Sequence, residues 1–335
     1  MHHTDNAEET LLATFHRWFP TEEACIDYLF PLRWPHGFVC PFCRTRHPHL
    51  APQRYLTCTV CGNRGSLTTG TLMHGVKRPL RDWLLAIWWF SGAGFDTSAK
   101  ELQRLLDASC YQTAWTWLQK LRQAMGAADT ARCQGVVEIG GHTVTPARER
   151  KEQALVLAAA EILPDLGITG RLRLRHVPGF TEKDLLGFLA ETVAGGSCLL
   201  IDDERLRPLL AGSTAWFVSP LQAEVAPRTG ALCRSFEACL HSVHRGGVTV
   251  KHLQLYLNEF SFRTNAGLLA DHPTVFRTLL TGILHEPGGP DGQAAAPAGR
   301  RRAVRWPSWK TRSRSACCCS PSPRWRCSAT TSTCG

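Results

Sequence analysis

The N-terminal half of the chain places its apolar residues mainly with a helical period. The first such stretch predicts a helical lead-in over residues 1–35, because its large apolar residues recur three or four positions apart: Leu11, Leu12, Phe15 and Phe19. Three further amphipathic stretches follow between residues 79 and 125: "PLRDWLLAIWWF", "DTSAKELQRLLDAS" and "YQTAWTWLQKLRQAMG". These patterns predict a helical region that begins after the Cys-rich segment.

The second and third of these stretches have the spacing of a helix-turn-helix. Glu101 lies three residues after Ser98, which is the pattern of a capping box and marks a helix start. A short turn around 108–110 joins this helix to the next one. We therefore predict a helix-turn-helix DNA-binding region over residues 75–126, with a plain helical linker as the alternative.

The hydrophobic period changes to that of strands after residue 133. The segments "VVEI", "ALVLAAAEI", "GRLRLRHV" and "SCLLID" read as strands, and "TEKDLLGFLAETVA" reads as a helix between the last two. A further helical stretch runs from about Val250 to Asn265. The sequence thus predicts a mixed α/β domain over residues 133–285 and, for the whole chain, a multidomain α/β fold.

Four cysteines in the segment 36–72 have the spacing of a zinc site. They form two CxxC pairs with fourteen residues between them: Cys40, Cys43, Cys58 and Cys61. Two such knuckles present four thiolates to one Zn²⁺ ion, and the metal replaces the core that so short a unit lacks. We predict a structural zinc ribbon, against the alternative of fortuitous pairs in a Cys-rich chain. His47 and His49 are expected to be surface residues, because four sulfurs already complete the ligand set.

Composition restricts the function classes further. The formal net charge is +10, but the part from Gln293 onward carries nine of the 38 Lys and Arg residues and no acid. The rest has 29 basic and 28 acidic residues, so the charge is weak evidence for nucleic-acid binding by the folded part. We interpret residues 290–335 as a disordered basic tail. No run of 18 apolar residues and no secretion signal is evident, which predicts a cytoplasmic protein without a membrane span.

The quoted N-terminal motifs, read together from "RWPHGFVCPFC" to "TWLQKLRQAM", closely resemble a family of bacterial insertion-sequence transposases. Proteins of that family join a zinc ribbon and a helix-turn-helix to an RNase H-like catalytic domain of the DDE type. The resemblance covers about residues 10–285 and is looser in the second half. It implies strand transfer at the DNA ends of the element by two Mg²⁺ ions held by acidic side chains. It also implies a homo-oligomer on DNA.

The catalytic acids that the resemblance implies are incomplete. The strand that carries the first Asp in the family reads here "GVVEIGGHTV", and that Asp is absent. Glu138 is not expected to replace it, and we interpret it as an exposed or strand-end residue. Asp202 matches the second acid, with a helix cap or turn as the alternative. Glu237 is a candidate for the third acid, with a solvated helix residue as the alternative. Glu259 is expected in a structural helix, where Arg263 and Asn265 contact backbone or DNA phosphate.

The last predicted helix of the helix-turn-helix offers candidate DNA contacts. Lys120 and Arg122 are expected at phosphates, and Gln112, Thr113 or Gln119 at base edges. Trp115 and Trp117 are expected in the core. These features favour an insertion-sequence transposase that is impaired because its first catalytic Asp is missing. The alternatives are a non-catalytic zinc-ribbon DNA-binding regulator and a zinc-ribbon module that binds proteins.

Overall fold

The structure is a computed structural model that describes residues 2–75, 77–92, 97–146, 152–163, 168–201, 203–210, 212–220, 228–244, 248–269 and 271–284. Backbone contacts divide the chain into two units, Met1–Gln293 and Ala294–Gly335. The predicted tail, residues 290–335, lies outside the described residues. Among the described helices, none is both long enough and apolar enough to cross a membrane.

Within the described residues, the N-terminal half consists of five helices and two small hairpins. The helices are α1 (His2–Trp18), α2 (Glu22–Arg33), α3 (Leu80–Gly92), α4 (Ala99–Leu105) and α5 (Tyr111–Ala128). The hairpins lie between α2 and α3, and both are antiparallel: β1 (Phe38–Val39) with β2 (Arg46–His47), and β3 (Tyr55–Thr57) with β4 (Arg64–Ser66).

The helix starts follow the capping signals in the sequence. The Thr21 hydroxyl accepts a hydrogen bond from the Ala24 amide at the start of α2. Ser98 and Glu101 form the predicted capping box at the start of α4. These bonds satisfy backbone N–H groups that have no partner within the helix. Local sequence therefore fixes where these helices begin.

In the part of the second half that the structure describes, five strands form a mixed sheet with helices on both faces. Its strands are β5 (Val136–Val144), β6 (Ala154–Leu163), β7 (Ile168–Val177), β8 (Cys198–Ile201) and β9 (Phe217–Pro220). Their spatial order is β7-β6-β5-β8-β9, with β5, β6 and β7 antiparallel and with β8 and β9 parallel to β5. The helices are α6 (Glu182–Thr192), α7 (Arg228–His244), α8 (Leu253–Ala266) and α9 (His272–Leu284). The four strands predicted from the sequence are all present, and β9 is additional.

Three apolar clusters hold these elements together. Val137 and Ile139 point to the face of the sheet that packs against α6, whereas Val156 and Ala158 pack with residues of α7 and α8. The third cluster contains residues from each of the helices α1 through α5, from both hairpins and from α9. Burial of alternate side chains on both faces explains why β5 and β6 read as nearly continuous apolar runs. The last helix thus packs against the N-terminal helices instead of against the sheet.

Candidate functional site

The four predicted zinc ligands lie together in the structure. The Sγ atoms of Cys40, Cys43, Cys58 and Cys61 are all within 4.8 Å of one another. The Cys40–Cys61 distance is 3.6 Å and the Cys43–Cys58 distance is 3.5 Å. Four thiolates around one Zn²⁺ ion are separated by about 3.8 Å, since each Zn–S bond is ~2.3 Å. The side chains therefore fit a tetrahedral zinc centre, which would link the two hairpins.

The two CxxC segments fold as equivalent knuckles. In the first, the Arg44 amide donates to the Cys40 carbonyl, and in the second the Gly62 amide donates to the Cys58 carbonyl. The residue that directly follows the second cysteine of each pair has a positive φ, 64° at Arg44 and 70° at Gly62. Glycine reaches this conformation without strain, whereas an arginine there meets a steric penalty. The local turn brings each pair of sulfurs to one side.

Local hydrogen bonds favour thiolates at the second cysteine of each knuckle. The hydroxyl and the amide of Thr45 lower the pKa of Cys43 to about 6. The amide of Asn63, which occupies the equivalent position, lowers the pKa of Cys61. Burial instead raises the pKa of Cys40 to about 11. A bound cation is what would allow this buried thiol to ionise, because zinc coordinates thiolates.

His47, which was predicted to be a surface residue and not a ligand, lies beside the four-sulfur cluster. Its Nε2 atom lies 3.2 Å from the Sγ atom of Cys58, and its ring stacks on Phe38 at 5.7 Å. It is half-buried and is not part of the four-sulfur cluster. A histidine N–H that donates to a coordinating sulfur orients that ligand. The antiparallel pairing of β2 with β1 places His47 opposite Phe38.

The candidate DNA contacts on α5 are only partly at the surface. Gln112 is exposed and Thr113 is half-buried, so both are accessible near the N-terminus of the helix. Lys120 is half-buried; its Nζ donates to the Leu72 carbonyl at 2.9 Å and lies over the ring of Trp83. Trp117 stacks on Trp83 with ring centroids 3.9 Å apart, which confirms its place in the core.

The expectation that Arg122 contacts phosphate is wrong for this structure. Arg122 is 1% exposed, and its Nε donates to Glu259 at 2.7 Å. Glu259 is itself fully buried and also accepts from Arg263 at 3.0 Å. Two arginines on different helices thus share one carboxylate, as a buried charge requires. The amphipathic pattern of α5 did not predict this burial, because α5 packs against α4, α8 and α9. The middle of α5 therefore has little solvent-facing surface.

Asn265 and Gln254 protect the free edge of the sheet. The side-chain amide of Asn265 bonds to both the N–H and the C=O of Leu172 on β7, at 2.7 and 2.9 Å. Gln254 accepts from the His176 amide at 2.8 Å. Both side chains of α8 therefore occupy backbone groups that an edge strand would otherwise leave unpaired. Of the two alternatives predicted for Asn265, the structure shows the backbone contact.

Glu138 is buried, contrary to the predicted exposed or strand-end position. It has no exposed surface and accepts three hydrogen bonds, from the Arg228 amide, the Thr229 amide and the Thr229 hydroxyl, at 2.7 to 3.0 Å. The carboxylate therefore caps the start of α7, where helix N–H groups and the helix dipole favour negative charge. The alternating pattern missed this because only the tertiary structure brings α7 against β5.

The two candidate catalytic acids are not seen together. Asp202 lies outside the described residues. Glu237 is half-buried on α7, and its Oε1 atom accepts from the Thr145 amide at 3.0 Å, while His241 bonds to the Thr145 carbonyl at 2.8 Å. Glu237 binds the residue that follows β5, and Glu138 extends from near the start of this strand, so the two acids attach α7 to β5 at separate points. Their hydrogen bonds position helix and strand relative to each other.

Asp203 is a described acid that closely follows β8. Arg205 binds its carboxylate at 2.6 Å and also donates to the Gly141 carbonyl at 3.1 Å. Burial tends to raise the pKa of Asp203, but the hydrogen bonds from Arg205 offset this and hold it below its usual range. The side chain is therefore an ionised partner of an arginine.

The carboxylates do not fit a two-metal magnesium centre in the part of the chain that the structure describes. There, the four cysteines are the sole group of three or more metal-ligating side chains within reach of one ion. Glu138, Asp203 and Glu237 each have hydrogen-bond partners within the protein. Magnesium needs several oxygen ligands around one point. The described carboxylates therefore support no catalytic step through magnesium.

Comparisons with known proteins also indicate a zinc ribbon in this part of the chain. Residues 20–64 match the transposase zinc-ribbon domain family, and this range contains all four cysteines. A protein of Halobacterium salinarum, described as an uncharacterized protein in transposable element ISH50, is 30% identical over 126 residues. The alignment covers 36% of this chain and 41% of that relative, so this chain matches less than half of its length. The first likeness is to the zinc ribbon of transposases, and the second is to a protein encoded in a transposable element.

A comparison with solved structures adds little. One chain of a simian T-cell lymphotropic virus intasome, solved in complex with the PP2A regulatory subunit B56 gamma, aligns with a TM-score of 0.27 and 12% identity. The alignment covers 49% of this chain and 65% of that one. A TM-score this low does not establish a shared fold.

Proposed function

We propose that this protein is a transposase of an insertion element that binds DNA at the ends of that element through its zinc ribbon and helical region. The observation that carries the proposal is the four-sulfur cluster, which lies on two equivalent knuckles within the range that matches transposase zinc ribbons. A ribbon of this kind is structural, because four thiolates leave no open position on the metal. Its role is to present a binding surface.

The sheet supports an RNase H-like domain as the finer assignment. Three antiparallel strands followed by two parallel ones, in the order β7-β6-β5-β8-β9, agree with the fold that the resemblance implies. Helices α6, α7 and α8 cover its two faces. The helix-turn-helix assignment rests on the capped α4, the short connection and α5. Homo-oligomerisation on DNA is part of the proposal by resemblance alone.

We further propose that strand transfer is impaired in this copy. Glu138, the one acid on β5, is buried and caps α7, so it is not available as a metal ligand. A side chain at the next position on the same face has no room, because a Cβ atom on Gly140 would lie 2.5 Å from the Thr229 hydroxyl. The strand that should carry the first catalytic acid therefore offers no carboxylate to a metal.

A DNA-cleavage experiment tests both parts. The zinc-loaded full chain is mixed with a duplex that carries the terminal inverted repeat of the element, and with a scrambled duplex of equal length and composition. We expect tighter binding to the repeat and no Mg²⁺-dependent nicking of either duplex. Robust nicking would refute the impairment, and equal affinity for both duplexes would refute recognition of element ends.

The second candidate is a non-catalytic DNA-binding regulator, and the same observation on Glu138 favours it. A regulator and an impaired transposase both bind DNA without cleaving it. They differ in synapsis: a transposase brings two ends into one complex, whereas a regulator occupies single sites. A gel assay with two repeat duplexes of different length separates them, because only paired ends give a complex that contains both.

A further inference from the structure

The positive charge of the folded part is concentrated in one segment. Between Asp27 and Asp82 the chain has no acidic residue, and it has eight Lys and Arg residues. The near balance of charge over the whole folded chain hides this asymmetry. The segment includes both hairpins of the ribbon, so that the metal centre lies within a strongly cationic part of the protein.

Several of these cations are used inside the protein. Arg33 is buried and donates to the carbonyls of Leu67 and Thr69. Arg54 and Arg78 make ion pairs with acids outside the segment, at 3.0 and 2.7 Å. Arg33 and Arg54 connect the ribbon to α2, and all three side chains leave little charge for a partner.

Three arginines of the ribbon differ from this group. Arg44, Arg46 and Arg64 are exposed, and none of them makes an ion pair with any residue within the described ranges. The Arg64 guanidinium lies 4.6 Å from the ring centroid of Tyr55, which is 46% exposed. The ring supports an extended arginine by cation–π attraction.

Two of these arginines lie beside the cysteine knuckles along the chain. Arg44 directly follows Cys43, and Arg64 comes three residues after Cys61. Because all four sulfurs lie within 4.8 Å, the two knuckles and the residues that flank them are held together. We call Arg44, Arg46, Arg64 and Tyr55 the basic ribbon surface.

We propose that the basic ribbon surface binds the phosphodiester backbone of DNA. Guanidinium groups are planar donors that match phosphate oxygens, and exposed arginines without acidic neighbours keep their full charge for such a partner. The cations that the sequence suggested on α5 do not compete for this role, because Arg122 is buried and Lys120 binds a carbonyl. The inference rests on the proposed function and assigns the DNA contact to particular residues.

Contacts of this kind position a protein on DNA without reading its sequence. The basic ribbon surface therefore contributes affinity that is independent of the base sequence and weakens as salt rises. Recognition of particular ends must come from other residues, among which Gln112 is exposed.

The test is the salt dependence of DNA affinity, measured by fluorescence anisotropy with the zinc-loaded full chain and a duplex of random sequence. For the triple variant R44Q/R46Q/R64Q we expect the slope of log affinity against log salt to decrease by about 0.9 for each phosphate that the protein no longer neutralises. The triple lysine variant keeps the charge and is expected to keep most of the slope. R207Q is the matched control, because Arg207 is partly exposed but lies in the sheet region, paired with Glu204.

The outcomes of this test distinguish failure of the proposal on the basic ribbon surface from failure of the proposed function. A reduced slope in the glutamine variant, with its zinc content and unfolding temperature unchanged, supports the proposal. An unchanged slope in that variant overturns the proposal and leaves DNA binding by the protein intact. Binding of polyglutamate as tightly as DNA would also overturn it, since the surface would then suit an acidic protein. A wild-type chain that binds no DNA would refute the proposed function itself.

Discussion

Three arginines of the ribbon and several arginines of the sheet region are used in opposite ways. In the ribbon, Arg44, Arg46 and Arg64 project into solvent without an acidic partner within the described residues. In the sheet region, arginines bind nearby carboxylates; Arg171 and Arg173 both bind Asp129, and Arg205 binds Asp203. An exposed arginine without an acidic partner is available to a ligand, whereas a paired one fixes two parts of the chain to each other. Charge therefore fixes the architecture of the sheet region, whereas in the ribbon we propose that it serves binding.

The two regions also differ in whether they have a hydrophobic core of their own. The sheet has an apolar cluster on each face, so it has a core of its own. The hairpins contain two to three residues per strand and depend on the metal and on the apolar cluster that they share with the helices. Loss of the metal should therefore affect the ribbon far more than the sheet.

Removal of a zinc ligand tests this dependence and is the largest effect that we expect. C40S should lose stoichiometric zinc and abolish DNA binding, because structural zinc contributes on the order of 10 kcal/mol to folding of such units. Metal analysis and anisotropy measure the two effects. C110S is the matched control, since Cys110 is exposed and lies outside the cluster. Full DNA affinity in zinc-free C40S would contradict a binding role for the ribbon.

The buried ion pair tests the architectural use of charge. E259A should lower the free energy of unfolding by about 3–5 kcal/mol, because it leaves Arg122 and Arg263 without their shared carboxylate in a buried site. Denaturant titration measures the change. The solvent-accessible pair Arg207–Glu204 provides the comparison, and R207A should cost about 0–1 kcal/mol. A large loss of DNA affinity in folded E259A would indicate that this cluster serves binding as well.

The same cluster should give the protein a measurable pH dependence. Burial, and secondarily the charge of Arg122, lowers the pKa of His244 to about 4. Because the unfolded state takes up this proton near pH 6.5, stability is lost as the pH falls from about 6.5 towards 4, by up to about 3 kcal/mol. The difference in unfolding free energy between the wild type and H244Q, measured across this range, isolates the effect from carboxylate titration. A difference that does not vary with pH would count against a neutral buried histidine.

The cap on α7 should produce the smallest of these effects. E138Q keeps the size of the side chain but loses one acceptor for the Arg228 and Thr229 donors, which should cost about 1–3 kcal/mol of stability. Denaturant titration again measures it, and zinc content should not change. If E138Q instead altered a metal-dependent activity without loss of stability, Glu138 would belong to a catalytic site.

Prediction from the sequence succeeded best where the determinants are local. The CxxC spacing gave the four ligands, and Ser98 with Glu101 gave the start of α4. It failed for Arg122 and Glu138, whose side chains meet partners 137 and 90 or 91 residues away along the chain. Periodicity shows that a helix or strand forms, but it does not show which other element will cover it.

The sequence by itself determined the four zinc ligands, the capped helix starts and four of the five strands of the sheet, because turns, caps and alternating burial depend on neighbouring residues. Only the tertiary structure decided which charges remain available. The packing of α5 under α8 and α9 buried Arg122, and the approach of α7 to β5 buried Glu138. Burial of a charge requires a specific partner, so contacts between distant segments separated the arginines that stabilise this protein from those left free to bind.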